Sequence, residues 1–148
     1  MIWTAHVTVA TLVEYSGRFL MVEESIDGRS LYNQPAGHLE NNETLLTAAV
    51  RETREETAWD VELEALVGIY QWHHPENGET YVRFSFAAER RRHHPDQPLD
   101  SGIQRAAWLT QAEIAALQSQ WRSPMVMRCI DDYLAGHRYP LSVLTALP

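Results

Sequence analysis

The stretch Gly37-His38-Leu39-Glu40-Asn41-Asn42-Glu43-Thr44-Leu45-Leu46-Thr47-Ala48-Ala49-Val50-Arg51-Glu52-Thr53-Arg54-Glu55-Glu56-Thr57 changes chemistry halfway along its length. The spacing predicts a helix over Glu43 to Thr57, with Asn41 or Asn42 as its N-cap. At about 100° per residue, Leu45, Ala48, Ala49, Glu52, Glu55, Glu56 and Trp59 fall on one side. The first half of that side is small and apolar, and the second half carries three carboxylates. A second stripe, Leu46, Val50, Thr53 and Thr57, is expected to meet a sheet. With neighbours on two sides, the carboxylates are not simply the wet back of an amphipathic helix.

Carboxylates at i, i+3 and i+4 repel by a few tenths of a kcal/mol per pair even when exposed. They also lie toward the C-terminal end, where the helix dipole disfavours anions. A divalent cation turns the conflict into a purpose, because Mg2+ and Mn2+ take oxygen ligands and Mg2+ is commonly shared between carboxylates and substrate phosphates. The plainer alternative is a solvated acidic face balanced by Arg51 and Arg54.

Outward from this helix the chain alternates. Val7 to Val13 is rich in β-branched residues and predicts a strand; Ser16-Gly17 turns it into a partner at Phe19 to Val22. Asp27-Gly28 marks a further turn before Leu31-Tyr32-Asn33-Gln34-Pro35. Strands are expected at about Leu63 to Trp72 and Thr80 to Ala88, the latter with Val82, Phe84 and Phe86 facing one way and Tyr81, Arg83 and Ser85 the other. Arg90 to Gly102 reads as the longest loop, and Ala106 to Leu109 as a short strand. Thr110 and Glu113 have capping-box spacing for a helix to about Gln118, and Ser123-Pro124 opens a last helix with Gly136 just past its end. With no repeat, tract or linker, residues 1–148 are expected to form a single α/β (α+β) domain, a mixed sheet between helices.

Composition narrows the function classes. With 148 residues, 45% hydrophobic and 22% charged, disorder and collagen-like repeats are excluded. The net charge of −8 argues against a general nucleic-acid coat protein. The single Cys129 excludes a disulfide framework and a Cys-rich zinc site, and fits a reducing cytoplasm. No apolar run reaches a membrane span, and the first residues lack the basic region of a signal peptide. The expectation is a soluble cytoplasmic protein, monomer or homodimer, with no nucleic-acid polymer and no membrane among its partners.

Gly37, then Glu43, then Arg51-Glu52 and Glu55-Glu56, at these separations, resemble the signature of the Nudix hydrolases. Six fixed residues at fixed spacing arise by chance with a probability on the order of 10⁻⁵ at average composition. Thr53, Ala58 and Trp59 depart from the softer positions, and Ala58 stands where a glycine usually ends the helix left-handed. Outside the box, His6-Val7-Thr8-Val9-Ala10, Asn33-Gln34-Pro35-Ala36-Gly37-His38-Leu39-Glu40, Arg122-Ser123-Pro124 and Arg138-Tyr139-Pro140-Leu141 resemble the NudJ-type phosphatases of bacteria.

The resemblance implies a Nudix αβα sandwich and metal-dependent hydrolysis of a diphosphate linked to another moiety, usually with Mg2+, and with Mn2+ as the alternative ion. It assigns Glu52, Glu55 and Glu56, with the carbonyl of Gly37, to metal, and Glu43 and Arg51 to bridging loop and helix. It also implies substrates of the NudJ type: nucleoside di- and triphosphates and hydroxymethylpyrimidine or thiamine diphosphate, with release of orthophosphate. The alternatives are an oxidised-nucleotide or ADP-ribose pyrophosphatase, or a non-catalytic Nudix nucleotide sensor.

Many Nudix enzymes carry an acid in the loop before a strand Trp. Six positions before Trp108 lies Gly102, so the expected acid is missing at that spot; Asp100, two residues earlier, is either a catalytic group swung in by its loop or a turn residue. Arg83, alone as a charge on its strand, either meets a substrate phosphate or pairs with a neighbouring strand. Trp72, Tyr81 and Trp108 either stack a heteroaromatic ring or pack the core. His73-His74 and His93-His94 read as loop residues, Arg90-Arg91-Arg92 as a solvated basic patch, and Cys129 as core.

Overall fold

Two layers of helix need a sheet with both faces apolar, and the strands supply it in a computed structural model that describes residues 2–148. The strands are β1 (His6–Tyr15), β2 (Arg18–Ile26), β3 (Arg29–Asn33), β4 (Ala36–His38), β5 (Trp59–His73), β6 (Thr80–His93) and β7 (Ile103–Thr110). The helices are α1 (Leu45–Thr57), α2 (Gln111–Ala116) and α3 (Met125–Leu134), with short 3-10 turns at Gln118–Gln120 and Leu141–Val143. The sheet runs β3-β2-β1-β6-β5, with β4 paired to β1 and β7 to β2. β1 and β6 are parallel, and the other pairings are antiparallel. The mixed sheet between helices is therefore as expected.

Alternation along β1 and β6 assigns the two faces. Val9 and Phe86 pack with Ala48, Ala49 and Leu66 beneath α1, and Val13 and Ala88 join Leu20 and Val61 beside Val50. Leu12 and Ala87 point the other way, into a core with Ile114 of α2 and Val126, Cys129 and Ile130 of α3. Cys129 is thus a core residue, its Sγ 3.2 Å from Ser85 Oγ. On the α1 side Thr53 is fully buried and its hydroxyl lies 2.7 Å from that of Thr11, so the polar second stripe does meet the sheet. Among the described residues no helix is long and apolar enough to cross a membrane.

Several boundaries differ from expectation, with β1, β2 and β7 each longer than read. α1 starts at Leu45, and its cap is Thr44, whose Oγ1 accepts from Thr47 N–H at 3.1 Å; Asn42 instead takes a turn with φ +62°. β5 begins at Trp59 and β6 continues to His93, so Arg90-Arg91-Arg92 lies in a ladder and the loop is confined to residues 94–102. α2 stops at Ala116, before the expected Gln118. Ala58 adopts φ +62° and ψ +21°, so the helix ends left-handed without a glycine, its N–H bonded to Arg54 O at 2.8 Å.

Candidate active site

β1 holds the loop from which the site is built. Val9 is registered against Gly37, and Leu39 N–H donates to Val7 O at 3.0 Å. Glu52 of α1 lies against Gly37 so closely that a Cβ there would overlap its carboxylate, so glycine is required at this approach. Arg51 organises what surrounds it. Its Nε and Nη2 donate to the two oxygens of Glu43 at 2.5 and 2.9 Å, and its Nη2 also donates to His38 O at 3.2 Å. The same guanidinium reaches Glu52 Oε1 at 2.8 Å and Glu55 Oε2 at 3.1 Å through Nη1. Arg51 holds the Glu43 carboxyl below its ordinary range, while burial raises that of Glu52 against the pull of Arg51.

The loop after β6 brings in the third acid. Asp100 N–H donates to Glu55 O at 3.0 Å, and carboxylate oxygens of Glu52, Glu55 and Asp100 lie within 4.8 Å of one another. Asp100 is at once a turn residue, its carbonyl accepting from Ile103 N–H at 3.0 Å, and a neighbour of the glutamates, held there by its own N–H rather than swinging in. Glu56 stands apart from these three. It is 7% exposed, accepts from Ala36 N–H at 2.9 Å, and is pushed up to about 9 by burial. The convergent donors are carboxylate oxygens, the set a hard divalent cation takes, and the glycine cradle leaves backbone exposed beside them.

A cleft of about 340 Å³ adjoins this cluster, and Gly37, Glu52, Glu56, Trp72, Tyr81 and Arg83 are among the residues that line it. Arg83 is 3% exposed and pairs with no carboxylate. Its Nη1 and Nη2 donate to Gln34 Oε1 at 3.1 Å and Asn33 Oδ1 at 2.9 Å, and its Nε has no partner. The expected alternative of a cross-strand salt bridge is therefore absent. The Trp72 and Tyr81 rings lie 5.8 Å apart, and Tyr81 stacks on His6 at 4.8 Å.

The remaining sequence candidates fall elsewhere. Trp108 packs edge-on against Trp59 and Tyr15, outside the cleft. Arg90 lies over the Tyr15 ring at 3.3 Å, and Arg91 pairs with Glu62, so two of the three arginines of the basic run are occupied within their own surface. His73 and His93 end strands rather than lying in loops; of the four paired histidines only His74 borders the cleft. Sequence reasoning missed Glu24 and Arg122, which also line it. Burial raises the Glu24 carboxyl, opposed by Arg122 and Arg83. Glu24 gives no signal, being one acid of a strand among others. Asn33-Gln34 does: two amides before a proline, in an apolar run, suit a buried guanidinium.

Residues 4–129 match the family model of the NUDIX domain. The chain is 45% identical over 139 residues to Phosphatase NudJ of Escherichia coli strain K12, covering 94% of this chain and 90% of that protein. Phosphatase NudJ of Shigella flexneri gives the same figures. A solved structure of a NUDIX hydrolase from Nitrosomonas europaea superposes with a TM-score of 0.96 at 46% identity, covering 97% of this chain and 98% of that one.

Proposed function

The chain belongs to the Nudix hydrolase family, and from that premise we propose that it is a metal-dependent phosphatase of small diphosphates, releasing orthophosphate. The proposed substrates are nucleoside di- and triphosphates and hydroxymethylpyrimidine or thiamine diphosphate. The observation that carries the reading is the convergence of Glu52, Glu55 and Asp100 beside a cleft that Glu52 lines and that also holds a buried arginine with no carboxylate partner. Similarity to NudJ phosphatases over most of both chains supports the substrate class.

When bound, Mg2+ or Mn2+ neutralises diphosphate oxygens and increases the acidity of a water. Glu52, Glu55 and Glu56, with the carbonyl of Gly37, are the proposed ligands, and Asp100 joins them from its loop. Arg51 holds Glu52 and Glu55 in place through Nη1 while Glu43 holds Arg51. Glu52 takes the larger share of proton removal from the attacking water, with Asp100 contributing. Arg83 faces the phosphate chain with a guanidinium that neutral amides orient without neutralising. Trp72 and Tyr81 offer ring faces to the leaving group. The domain is read as filling residues 1–148, in a cytoplasmic monomer or homodimer.

The test is a panel of diphosphates with saturating Mg2+, scoring orthophosphate and pyrophosphate separately. Orthophosphate from nucleoside diphosphates and the pyrimidine diphosphate is expected. Cleavage of ADP-ribose alone would displace the substrate assignment, and binding without turnover would make the chain a sensor.

A further inference from the structure

The loop between β6 and β7 is bonded along its length to the C-terminal end of α1. His94 N–H donates to Ala58 O at 2.8 Å, Asp100 N–H to Glu55 O at 3.0 Å, and Gln97 Nε2 to Arg54 O at 2.8 Å. The Glu55 carbonyl has no intrahelical donor and takes one from this loop, while Arg54 O, already bonded to Ala58 N–H, receives Gln97 as a second donor, so the loop completes the cap of α1. One of the three bonds is made by a side chain, and it is returned: Arg54 Nε donates to Gln97 Oε1 at 3.0 Å. Arg54 also reaches Asp60 Oδ1 at 3.3 Å, while the other oxygen of Asp60 lies 2.7 Å from His94 Nε2. Gln97 and Arg54 border neither the cleft nor the acidic cluster. Yet Arg54 precedes Glu55, and Gln97 lies between the two main-chain bonds that fix the loop.

We propose that Gln97 and Arg54 are positioning residues for Asp100: their reciprocal bond seats the loop on the end of α1 so that Asp100 completes the set with Glu52 and Glu55. The inference rests on the reading of Asp100 as part of the metal site. Its physical basis is that a ligand contributes only when its geometry is held, and partners that hold ligands typically cost about 10- to 100-fold in metal affinity or activity when removed. The main-chain bonds at His94 and Asp100 fix the two ends of this segment. The Gln97 bracket supplies a point between them, which holds the intervening span against the helix and limits the play left to Asp100.

Gln97→Met keeps the length of the side chain and removes both bonds. The experiment titrates Mn2+ into the full chain by electron paramagnetic resonance of the free ion, with kcat and KM alongside. The proteins compared are wild type, Gln97→Met, Asp100→Asn and the double variant. Gln97→Met is expected to weaken Mn2+ binding roughly tenfold and lower kcat similarly, with little change in KM. In the Asp100→Asn background the same change is expected to cost nothing more, because Gln97 acts through Asp100. If Asp100→Asn weakens binding and Gln97→Met does not, the inference is overturned while the role of Asp100 stands. A full additional loss in the double variant overturns it too, by showing a general effect on the fold. Wild-type binding and turnover in Asp100→Asn would remove Asp100 from the site, and the inference with it.

Discussion

Two cavities border on Trp72 and Met125, and they treat charge in opposite ways. The larger, about 860 Å³, lies between β5 and α3 with an apolar lining that includes Gly68, Ile69 and Tyr139. Its charged groups satisfy one another: Arg128 Nε reaches Asp132 at 3.1 Å, Tyr70 donates to the same carboxylate at 2.8 Å, and His137 lies 3.7 Å away. Beside the smaller cleft, Glu52, Glu55 and Asp100 crowd together, Glu52 alone of them lining it, and the buried guanidinium of Arg83 within it has only amides. Volume alone does not mark the proposed site. Its charges are less fully paired than those of the groove: one guanidinium, Arg51, serves both Glu52 and Glu55, and Arg83 meets only amides, so a counter-charge has more to offer there.

The sharpest way to break this contrast is to change a carboxylate in the cleft. Glu55→Gln and Glu56→Gln are each expected to lower kcat by about 10²-fold or more with the fold intact. Without metal, their melting temperatures should hold or rise slightly, since like-charge repulsion is relieved at Glu55 and burial disfavours the charge that Glu56→Gln removes. Near-wild-type turnover in both would end the metal-site reading.

Arg83→Met comes next. It leaves the amide oxygens of Gln34 and Asn33 without donors, at about 1–3 kcal/mol each, and removes the proposed phosphate contact. Steady-state kinetics should show KM raised by about tenfold, the low end for a hydrogen bond to a charged group. A lower melting temperature with unchanged KM would make Arg83 purely structural.

The groove supplies the counterpart. Tyr70→Phe removes one bond to Asp132 and is expected to cost about 1 kcal/mol in denaturant unfolding, with kcat and KM as in wild type. A loss of turnover there would show that the two cavities are coupled through Trp72.

The smallest effect concerns pH. His94 and Arg54 hold the Asp60 carboxyl below its ordinary value of 3.8, so its folded form binds protons less readily than its unfolded form. That contribution is present above the unfolded value and is lost as pH falls through the lower, folded one. Asp60→Asn should therefore melt slightly below wild type at neutral pH, with the gap closing as the pH drops under 3.8. A gap independent of pH would mean that packing, not charge, holds this corner.

The glutamates of α1 were legible because helical periodicity is local: residues three and four apart share a face whatever the rest of the chain does. The sheet faces of β1 and β6 were legible for the same reason. Asp100 was half legible, since counting back from Trp108 lands on Gly102, whereas its position is fixed by bonds to α1 more than forty residues away in sequence. The extent of β5 and β6 was hidden by register shifts at Asp60/Val61, Leu63/Ala65 and Leu66/Gly68, which interrupt the two-residue period. The polar end Arg90 to His93 pairs because aromatic neighbours hold it, with His93 stacked on Trp59 at 4.7 Å and Arg90 over Tyr15. Thr44 was passed over as a cap because Asn41 and Asn42 carry an equally good capping chemistry. Only the backbone, with Asn42 turned left-handed, decides between them.

The parallel pairing of β1 with β6 sets the order in which this protein can assemble. His6 meets Tyr81 and Val13 meets Ala88 across most of the first half of the chain, so this ladder is closed only after a long loop has been gathered. α1 is held by contacts local in sequence, so Glu52 and Glu55 come together as soon as its turns form. Arg83 comes with β6, and Asp100 only when the following loop docks on the helix end. During refolding, affinity for Mn2+ should therefore lag behind the helical signal, making metal uptake a clock for the last long-range step.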